Sequence, residues 1–424
     1  MSEPAAATDD RPTIVRAGRL VDTQAGEVRR AQVLEIRGER VVSVGPDEGR
    51  YPDGARVVDL SGSTVTPGLI DCHAHLVGLE EHEGTPDYAA LLGRTGAQEA
   101  LAGVRNARRT LEAGFTTVRD VGTFRAFVDV ALREAIDAGW TPGPRMRCAG
   151  AYVTCSTGGG DIPAVAPDVV VPRELRFGVA NSVDEVRRVV RELLHGGADF
   201  IKVIATGAVM TRGTSPGAPE FSEAELRAAV EEAALYGTHV AAHAHGPEGI
   251  LRAVRAGVRS IEHGSLMDDA SIDLMAERGT FLVADIYNGD WIAETGRAQG
   301  WPEEILRKND ETTQAQRDGF RKAVKAGVRI AYGTDSGIYP HGLEARQLPY
   351  MVRHGMTPMQ AIQSATIVAA ELLGWQDRVG SLAPGRFADL VAVRGDAMEG
   401  ELEAFAEVAF VMKGGRVVKD ARAA

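Results

Sequence analysis

The chain has 424 residues, 44% of them hydrophobic, and a formal net charge of -12. This length and apolar content are enough to bury the core of one large domain or two. The negative charge argues against nucleic acid or an anionic membrane as a main partner, because both need a basic face on the protein.

The chain also lacks the usual sequence signals of a membrane or secreted protein. No apolar run approaches the ~18 residues of a membrane span. The acidic N-terminus has neither the positive nor the apolar region of a signal peptide. The cysteines Cys72, Cys148 and Cys155 have no Cys-x-x-Cys spacing and indicate neither a disulfide framework nor a zinc ribbon. We therefore expect a cytoplasmic protein without a membrane or nucleic-acid partner.

The two ends of the chain predict a small β-domain. Residues 1–11 are expected to form a flexible N-terminus. Residues 12–63 show short alternating apolar runs broken by turns and no long helix, and residues 381–424 do likewise. Alternation with a period of two is typical of strands with one buried face. We predict that the two segments build one small β-sandwich domain.

Helix and strand signals alternate through the intervening residues 64–380. Ser182 with Glu185, and Ser222 with Glu225, have the spacing of a capping box that starts a helix. Helical patterns that end at a glycine occupy residues 182–195, 247–256, 268–278 and 303–326. Strands are predicted in the run before His73 and at residues 115–120, 145–152, 200–204, 240–243, 258–263, 281–286 and 328–335. Eight such strand-helix units predict an α/β fold, a (β/α)8 barrel of the TIM type.

Residue types that bind metals stand where these strands end. His73 and His75 are two residues apart and so point to the same face of a strand. Taken alone, such a pair also fits two ordinary surface or core histidines. Similar positions, before a glycine or polar loop, are held by Lys202, His243, His245, His263 and Asp335. Because a barrel brings the C-terminal ends of its strands to one face, we expect these side chains to meet there and to bind metal.

The sequence resembles a known family. It is similar to the amidohydrolase superfamily of metal-dependent hydrolases, and within it to the branch of imidazolonepropionase-like proteins, Xaa-Pro dipeptidase-type metallopeptidases and ochratoxin-hydrolysing amidohydrolases. The resemblance implies an enzyme that hydrolyses C–N bonds. The matching motifs run through essentially the whole chain: Pro67-Gly68-Leu69-Ile70-Asp71, Gly114-Phe115-Thr116-Thr117-Val118-Arg119-Asp120, the Lys202 strand, His243-Ala244-His245-Gly246, Glu262-His263-Gly264, Gly333-Thr334-Asp335 and Pro384-Gly385-Arg386-Phe387-Ala388-Asp389-Leu390.

The resemblance implies a site for two divalent metal ions, with zinc as the expected metal. His73 and His75 would bind the first ion and His243 and His263 the second. A carbamate formed from Lys202 and carbon dioxide would bridge the two. A lysine that burial has neutralised can form such a carbamate. An isolated lysine at a strand end, by contrast, usually extends its ammonium group to solvent.

The resemblance also implies two roles in catalysis. Asp335 would contact the first ion. The attacking group would be a water held as hydroxide between the two ions. Asp335 would take its proton during the attack and deliver it to the leaving nitrogen. His245 would donate a hydrogen bond to the developing oxyanion. Since His243 and His245 point to the same face of their strand, an exchange of their roles stays open.

The implied substrate is a small amide or peptide cleaved next to a C-terminal amino acid, such as a dipeptide, an N-acyl amino acid or an ochratoxin-like aryl amide. The loops at 155–161 and 206–222 are expected over the mouth of the site, where loops set specificity in barrel enzymes. Gly159 or Gly160 stands where relatives in the peptidase branch often carry a histidine. The candidate substrate contacts are His245, His341, Tyr152, Arg212 and Tyr287. The two tyrosines and the arginine suit a structural role equally well.

Two alternatives stay open. A cyclic-amide hydrolase or a deaminase would use the same barrel, but such enzymes usually hold one metal ion without a bridging lysine. A non-catalytic scaffold would not need the complete set of ligand-type residues. The resemblance further implies a homo-oligomer.

Overall fold

The computed structural model describes residues 11–78, 91–162, 165–166, 168–400 and 402–422. The predicted flexible N-terminus therefore lies outside the described residues, except for Arg11. The strands within the described ranges are β1 (Thr13–Asp22), β2 (Glu27–Arg37), β3 (Arg40–Pro46), β4 (Arg56–Pro67), β5 (Leu69–Ala74), β6 (Phe115–Asp120), β7 (Arg145–Cys148), β8 (Tyr152–Val153), β9 (Ile201–Ile204), β10 (Val240–Ala244), β11 (Ser260–His263), β12 (Phe281–Val283), β13 (Leu390–Arg394), β14 (Phe410–Lys413) and β15 (Arg416–Asp420).

Strands from both ends of the chain form one mixed sheet, in the order β15-β14-β13-β4-β1-β2-β3. β1 pairs antiparallel with β2 and parallel with β4. The C-terminal β13 runs antiparallel to β4, with Leu390 opposite Pro67 and Arg394 opposite Ser63. Both ends of the chain contribute to this one sheet, and the predicted sandwich is not confirmed.

The remaining strands follow one another in parallel, as in a TIM barrel. β5, β6 and β7 form a three-stranded sheet, and β8 to β12 form a five-stranded one. The predicted strand at 145–152 is divided into β7 and β8 at Gly150, whose φ of +79° turns the chain. The predicted strand at 328–335 forms one isolated bridge, Ile330 with Leu282, rather than a regular ladder, and Ser336 directly after it forms another with Ala74. The architecture is a TIM-barrel-like α/β fold.

Helices separate most of these strands along the chain. Their bounds are α1 (Gly96–Glu112), α2 (Val128–Asp137), α3 (Val183–His195), α4 (Glu223–Leu235), α5 (Pro247–Ala256), α6 (Asp269–Arg278), α7 (Asn288–Gln299), α8 (Glu303–Ala326), α9 (Gln347–Arg353), α10 (Pro358–Ser364) and α11 (Ile367–Leu373). The predictions for α3, α5, α6 and α8 are confirmed, whereas α7 has no counterpart among the predicted helices, and neither have α1, α2, α9, α10 and α11. Among the helices described, none combines the length and the apolar character needed to cross a membrane.

The two predicted capping boxes differ in the structure. Ser222 Oγ accepts the Glu225 N–H at 3.3 Å, and the Glu225 carboxylate accepts the Ser222 N–H at 2.9 Å. Ser182 Oγ likewise accepts the Glu185 N–H at 3.3 Å, but the Glu185 carboxylate accepts the N–H of Asn181 at 2.6 Å. The first box is confirmed, and the second is half formed because its glutamate reaches the preceding residue.

The largest apolar core lies between the barrel strands and their helices. Ile201 and Val203 of β9 belong to it together with Val189, Val190 and Leu193 of α3, all of them buried. The spacing of the α3 residues puts them on one helix face. This packing behind the strands holds their C-terminal ends in place, and those ends carry the predicted ligand residues.

Candidate metal centre

His73 and His75 lie buried at the C-terminal end of β5. The Asp71 carboxylate accepts the His73 N–H at 3.0 Å and so fixes the backbone there. His73 Nδ1 lies 2.8 Å from Glu262 Oε2, and His75 Nδ1 lies 2.8 Å from the carbonyl oxygen of Gly122. Both acceptors require a proton on Nδ1, which leaves Nε2 of each ring available to a metal ion.

Asp335 faces both of these rings. Its Oδ1 lies 3.3 Å from His73 Nε2 and 3.1 Å from His75 Nε2. Its backbone has a φ of +58°, and its N–H donates to the His73 carbonyl oxygen at 2.7 Å. A non-glycine residue in this left-handed region is strained and persists only where its surroundings hold it. Burial acts to raise the pKa of Asp335, but the two histidines hold it well below its usual range, so the carboxyl group is ionised.

The other histidines of the predicted site come from the ends of β10 and β11. Ligand atoms of His243, His245 and His263 lie within 4.8 Å of one another, and those of His73, His263 and Asp335 form a second such group. His263 belongs to both groups, and its φ of +69° is again left-handed. Burial lowers the pKa of His245 to about 3, so that its ring is neutral. The structure thus brings these predicted residues into one buried centre.

Lys202 reaches the same centre from β9. It is 1% exposed and lines the cavity together with the histidines. Burial lowers the pKa of Lys202 to about 8, although the nearby carboxylates of Glu262 and Asp335 act to raise it. A lysine this close to neutrality is more nucleophilic than one in solvent, which is the property that carbamate formation requires.

Two carboxylates behind the histidines orient their rings, and neither role was predicted from the sequence. Glu262 accepts from the Arg119 guanidinium at 2.7 Å, and both side chains are fully buried. Asp285 Oδ1 lies 3.0 Å from His263 Nδ1, and Gln316 Nε2 donates to the same oxygen at 2.7 Å. A carboxylate at Nδ1 fixes the ring and makes the opposite nitrogen a stronger ligand.

The sequence contains a signal for one of these carboxylates. Glu262 lies inside the short buried strand β11, where a charge needs a partner. Asp285 follows β12 and leads toward α7, a helix without a clear sequence signal. Its role depends on the neighbouring side chains Asn288 and Gln316, which only the folded chain brings to it.

A cavity of about 120 Å³ that opens to solvent contains the cluster. Tyr152 lines it, with its hydroxyl 3.2 Å from His75 Nδ1. The other predicted substrate contacts outside the histidine cluster lie elsewhere. Arg212 is exposed, Tyr287 packs against two other tyrosines, and His341 Nε2 lies 3.1 Å from the carbonyl oxygen of His75. None of these three is among the residues that line the cavity.

Both loops expected over the mouth do reach the cavity. Gly159 and residues 208–211 line it, and the Thr211 hydroxyl donates to the Gly159 carbonyl oxygen at 2.6 Å. The Glu220 carboxylate accepts the Gly159 N–H at 2.8 Å. Two direct hydrogen bonds therefore hold the loops together.

The donor set fits divalent metal ions. Imidazole nitrogens and a carboxylate are ligands that zinc, manganese, cobalt and iron accept. The rings are buried, and hydrogen bonds at Nδ1 direct Nε2 of His73, His75 and His263 toward the centre. A metal site needs both properties, because its ligands have to be deprotonated and held in a fixed geometry.

Comparison with known proteins gives a consistent result. Residues 64–418 match the model of the amidohydrolase family. Ochratoxinase from Aspergillus niger is 34% identical over 98% of this chain and 88% of its own length. The crystal structure of a Xaa-Pro dipeptidase with bound methionine is 36% identical, with a TM-score of 0.88, over 96% of this chain and 99% of that one. The crystal structure of a prolidase complexed with N-methylphosphonate-L-proline is 32% identical, with a TM-score of 0.87, over 96% of this chain and 100% of that one.

These similarities cover nearly the whole chain and include its fold. They confirm the predicted resemblance and identify a hydrolase that acts on C–N bonds. The chain belongs to the amidohydrolase family.

Proposed function

We propose that this chain hydrolyses an amide bond next to a C-terminal amino acid and uses two divalent metal ions to do so. One observation supports the proposal most strongly: six residues of ligand type, drawn from five segments of the chain, lie at one buried centre in a cavity. They are His73, His75, Lys202, His243, His263 and Asp335.

The proposed metal assignment keeps the predicted pairs of ligands. His73 and His75, whose Nε2 atoms face Asp335, would hold the first ion, and His243 and His263 the second. Zinc is the proposed metal, because neutral imidazoles and carboxylates are its usual oxygen and nitrogen ligands. When bound, such ions make water nucleophilic at neutral pH and polarise a carbonyl group.

Lys202 would bridge the two ions as its carbamate. The side chain is buried and lines the cavity together with the histidines, and its lowered pKa of about 8 favours the neutral amine that attacks carbon dioxide. The carbamate would replace a positive charge with two oxygen ligands of negative charge. This exchange suits a position surrounded by metal-binding residues.

The proton transfers would depend on Asp335 and His245. The ionised Asp335 carboxylate would take a proton from the attacking water and pass it to the amide nitrogen as the C–N bond breaks. The Ser265 hydroxyl, 2.8 Å from His245 Nδ1, would donate to that nitrogen. The proton of His245 would then be on Nε2, from which it can stabilise the oxyanion.

The cavity suits a substrate with an apolar group. Ile204, Met210 and Ile292 line it beside the histidine cluster. The proposed substrates are a dipeptide, an N-acyl amino acid or an ochratoxin-like aryl amide. The first and third of these follow the names of the relatives, a Xaa-Pro dipeptidase and an ochratoxinase.

The test is release of free amino acid from dipeptides, N-acyl amino acids and aryl amides by enzyme loaded with metal in the presence of bicarbonate. We expect hydrolysis by the wild-type chain, two metal ions per chain, and loss of both activity and one or more ions in Lys202→Ala. Lys322→Ala is the matched control, because Lys322 is exposed and pairs with Asp269 on the surface. It should behave as the wild type.

Other outcomes would point elsewhere. One metal ion per chain and turnover of cyclic amides alone would favour the cyclic-amide hydrolase or deaminase. Two bound ions without hydrolysis of any panel member would refute the proposed substrate class.

A further inference from the structure

Asn288 is a cavity residue at the start of α7 that contacts two carboxylates. It is 4% exposed, and its Nδ2 lies 3.1 Å from Asp335 Oδ2 and 3.2 Å from Asp285 Oδ2. An ionised carboxylate only accepts hydrogen bonds, so the nitrogen of the amide has to face both of them. The orientation of the amide is therefore determined, and its oxygen Oδ1 points away from the carboxylates.

Asn288 Oδ1 is buried and has no hydrogen-bond donor among the residues that the structure describes. Leaving a buried acceptor unpaired costs about 1–3 kcal/mol. Such atoms are rare in native proteins and are explained by a catalytic role or by a partner from outside the chain. The position of Asn288, in the cavity and against Asp335, makes the substrate a suitable partner.

We propose that Asn288 Oδ1 accepts a hydrogen bond from the N–H of the scissile amide, so that the enzyme prefers secondary amides to prolyl amides. This inference rests on the proposed function, in which Asp335 passes a proton to the leaving nitrogen. Nδ2 and Oδ1 belong to one amide group, and Nδ2 touches Asp335. In this proposal the nitrogen that receives the proton lies beside both polar atoms of that amide group.

The hydrogen bond would assist the step in which the C–N bond breaks. In the tetrahedral intermediate the nitrogen has one hydrogen and a lone pair, and the lone pair has to face the proton on Asp335. An N–H held by Asn288 turns the lone pair toward that proton. The amine then leaves with its original hydrogen and the transferred one, and the acyl carbon keeps the oxygen of the water. A prolyl nitrogen has no hydrogen and gains nothing from Asn288.

The experiment compares N-acyl-phenylalanine with the same compound methylated on its amide nitrogen. We expect kcat/KM of the wild-type chain to be at least tenfold higher for the N–H substrate. Asn288→Leu keeps the size of the side chain but removes the acceptor, so the ratio should fall to near one. The control Asn309→Leu should keep the wild-type ratio, because Asn309 lines the same cavity but donates to Gly289, away from both carboxylates.

The ratio of the wild-type chain tests the inference even where a variant fails to fold. Equal hydrolysis of the two substrates by the wild type would overturn it, and so would an unchanged ratio in a folded Asn288→Leu protein. If the wild type cleaves neither substrate nor any other amide, the proposed function is refuted and this inference falls with it. Cleavage of the methylated substrate alone would retain the proposed function and refute the role of Asn288.

Discussion

At the scale of single residues, the buried pair of Arg119 and Glu262 connects stability with metal binding. Glu262 orients His73, and Arg119 also donates to the carbonyl oxygen of Cys72 at 2.6 Å. Arg119→Met would leave a buried carboxylate without its cation, which costs on the order of 3–5 kcal/mol. Glu262 would then orient the His73 ring less well, which should lower metal affinity roughly 10–100-fold. Urea denaturation and metal titration measure the two effects.

The control for this variant is Arg297→Met. Arg297 pairs with Asp310 on the surface, where both side chains are about half exposed. Surface pairs contribute about 0–1 kcal/mol. Equal losses of stability in the two variants would contradict a special role for the buried pair.

Asp335 gives a second prediction for a single residue. Asp335→Asn keeps the size of the side chain and an oxygen toward His73 and His75, so metal content should stay near that of the wild type. The amide does not accept the proton of water, so turnover should fall roughly 10²–10⁴-fold, the usual contribution of a general base. Metal analysis and kcat on the best amide substrate check both parts. Turnover near the wild-type value would exclude Asp335 as the base.

The residues that could be predicted from the sequence share one property. His73, His75 and Asp335 each follow a short apolar run, and the C-terminal ends of barrel strands meet at one face. Contacts between distant segments could not be predicted in the same way. His73 and Glu262 are 189 positions apart, and no local pattern pairs a particular carboxylate with a particular ring. The contact of Asn288 with Asp335 likewise joins residues that no local pattern pairs.

At the scale of elements, Glu220 makes the contact between the loops at 155–161 and 206–222 sensitive to pH. Burial raises the pKa of Glu220 to about 7 from 4.5, although the hydrogen bond from Gly159 acts to lower it. The folded state therefore binds more protons than the unfolded state between these values. The contribution of Glu220 to stability is fully present below pH 4.5 and is lost as the pH rises through 7.

Glu220→Gln should remove this dependence, because the amide stays neutral. We expect the free energy of unfolding of the wild type to fall, relative to the variant, between pH 4.5 and pH 7. The difference should be no more than about 3 kcal/mol, since one pKa unit corresponds to about 1.4 kcal/mol and Glu220 keeps some contact with solvent. Chemical denaturation of both proteins across this range provides the measurement. Parallel pH profiles would show that Glu220 does not titrate as described.

Helices could be predicted where local chemistry marks their ends. α5 and α8 end at glycines with left-handed φ, and their predicted bounds agree with the structure. α7 also ends at a left-handed glycine, Gly300, but no local signal marks its start. Its N-cap, Tyr287, makes no side-chain capping bond, and the helix contains Gly289 and Gly296, which lower helix propensity. Its packing on α8 and the cavity, rather than its own sequence, therefore determines that it is helical.

At the scale of the whole molecule, the number of sheet layers could not be predicted. Alternation in residues 12–63 shows that each strand buries one face, but the opposite layer can be another sheet or the barrel itself. The parallel pairing of β1 with β4 is likewise not encoded locally, and neither is the antiparallel pairing of β4 with β13, which lies more than three hundred residues later. A single seven-stranded sheet results.

Asp389 joins this terminal sheet to the barrel. Its carboxylate accepts from Arg145 of β7 at 2.9 Å and from the N–H of Gly414 at 2.6 Å. Its carbonyl oxygen accepts the N–H of Gly68, directly before β5, at 2.8 Å. The side chain is buried and is not among those that line the cavity.

Asp389→Ala should therefore weaken the whole molecule without changing its chemistry. Removing one partner of a mostly buried pair costs about 3 kcal/mol, because Arg145 is left uncompensated. Asp396→Ala is the control, since the pair of Asp396 and Arg19 lies within the terminal sheet and is more exposed. Denaturation of Asp389→Ala followed by circular dichroism and by activity should give coincident transitions at a lower midpoint, with kcat unchanged in the absence of denaturant. Separate transitions would show that the contact at Asp389 is what makes sheet and barrel unfold together, whereas a stability equal to that of Asp396→Ala would show that other contacts join them.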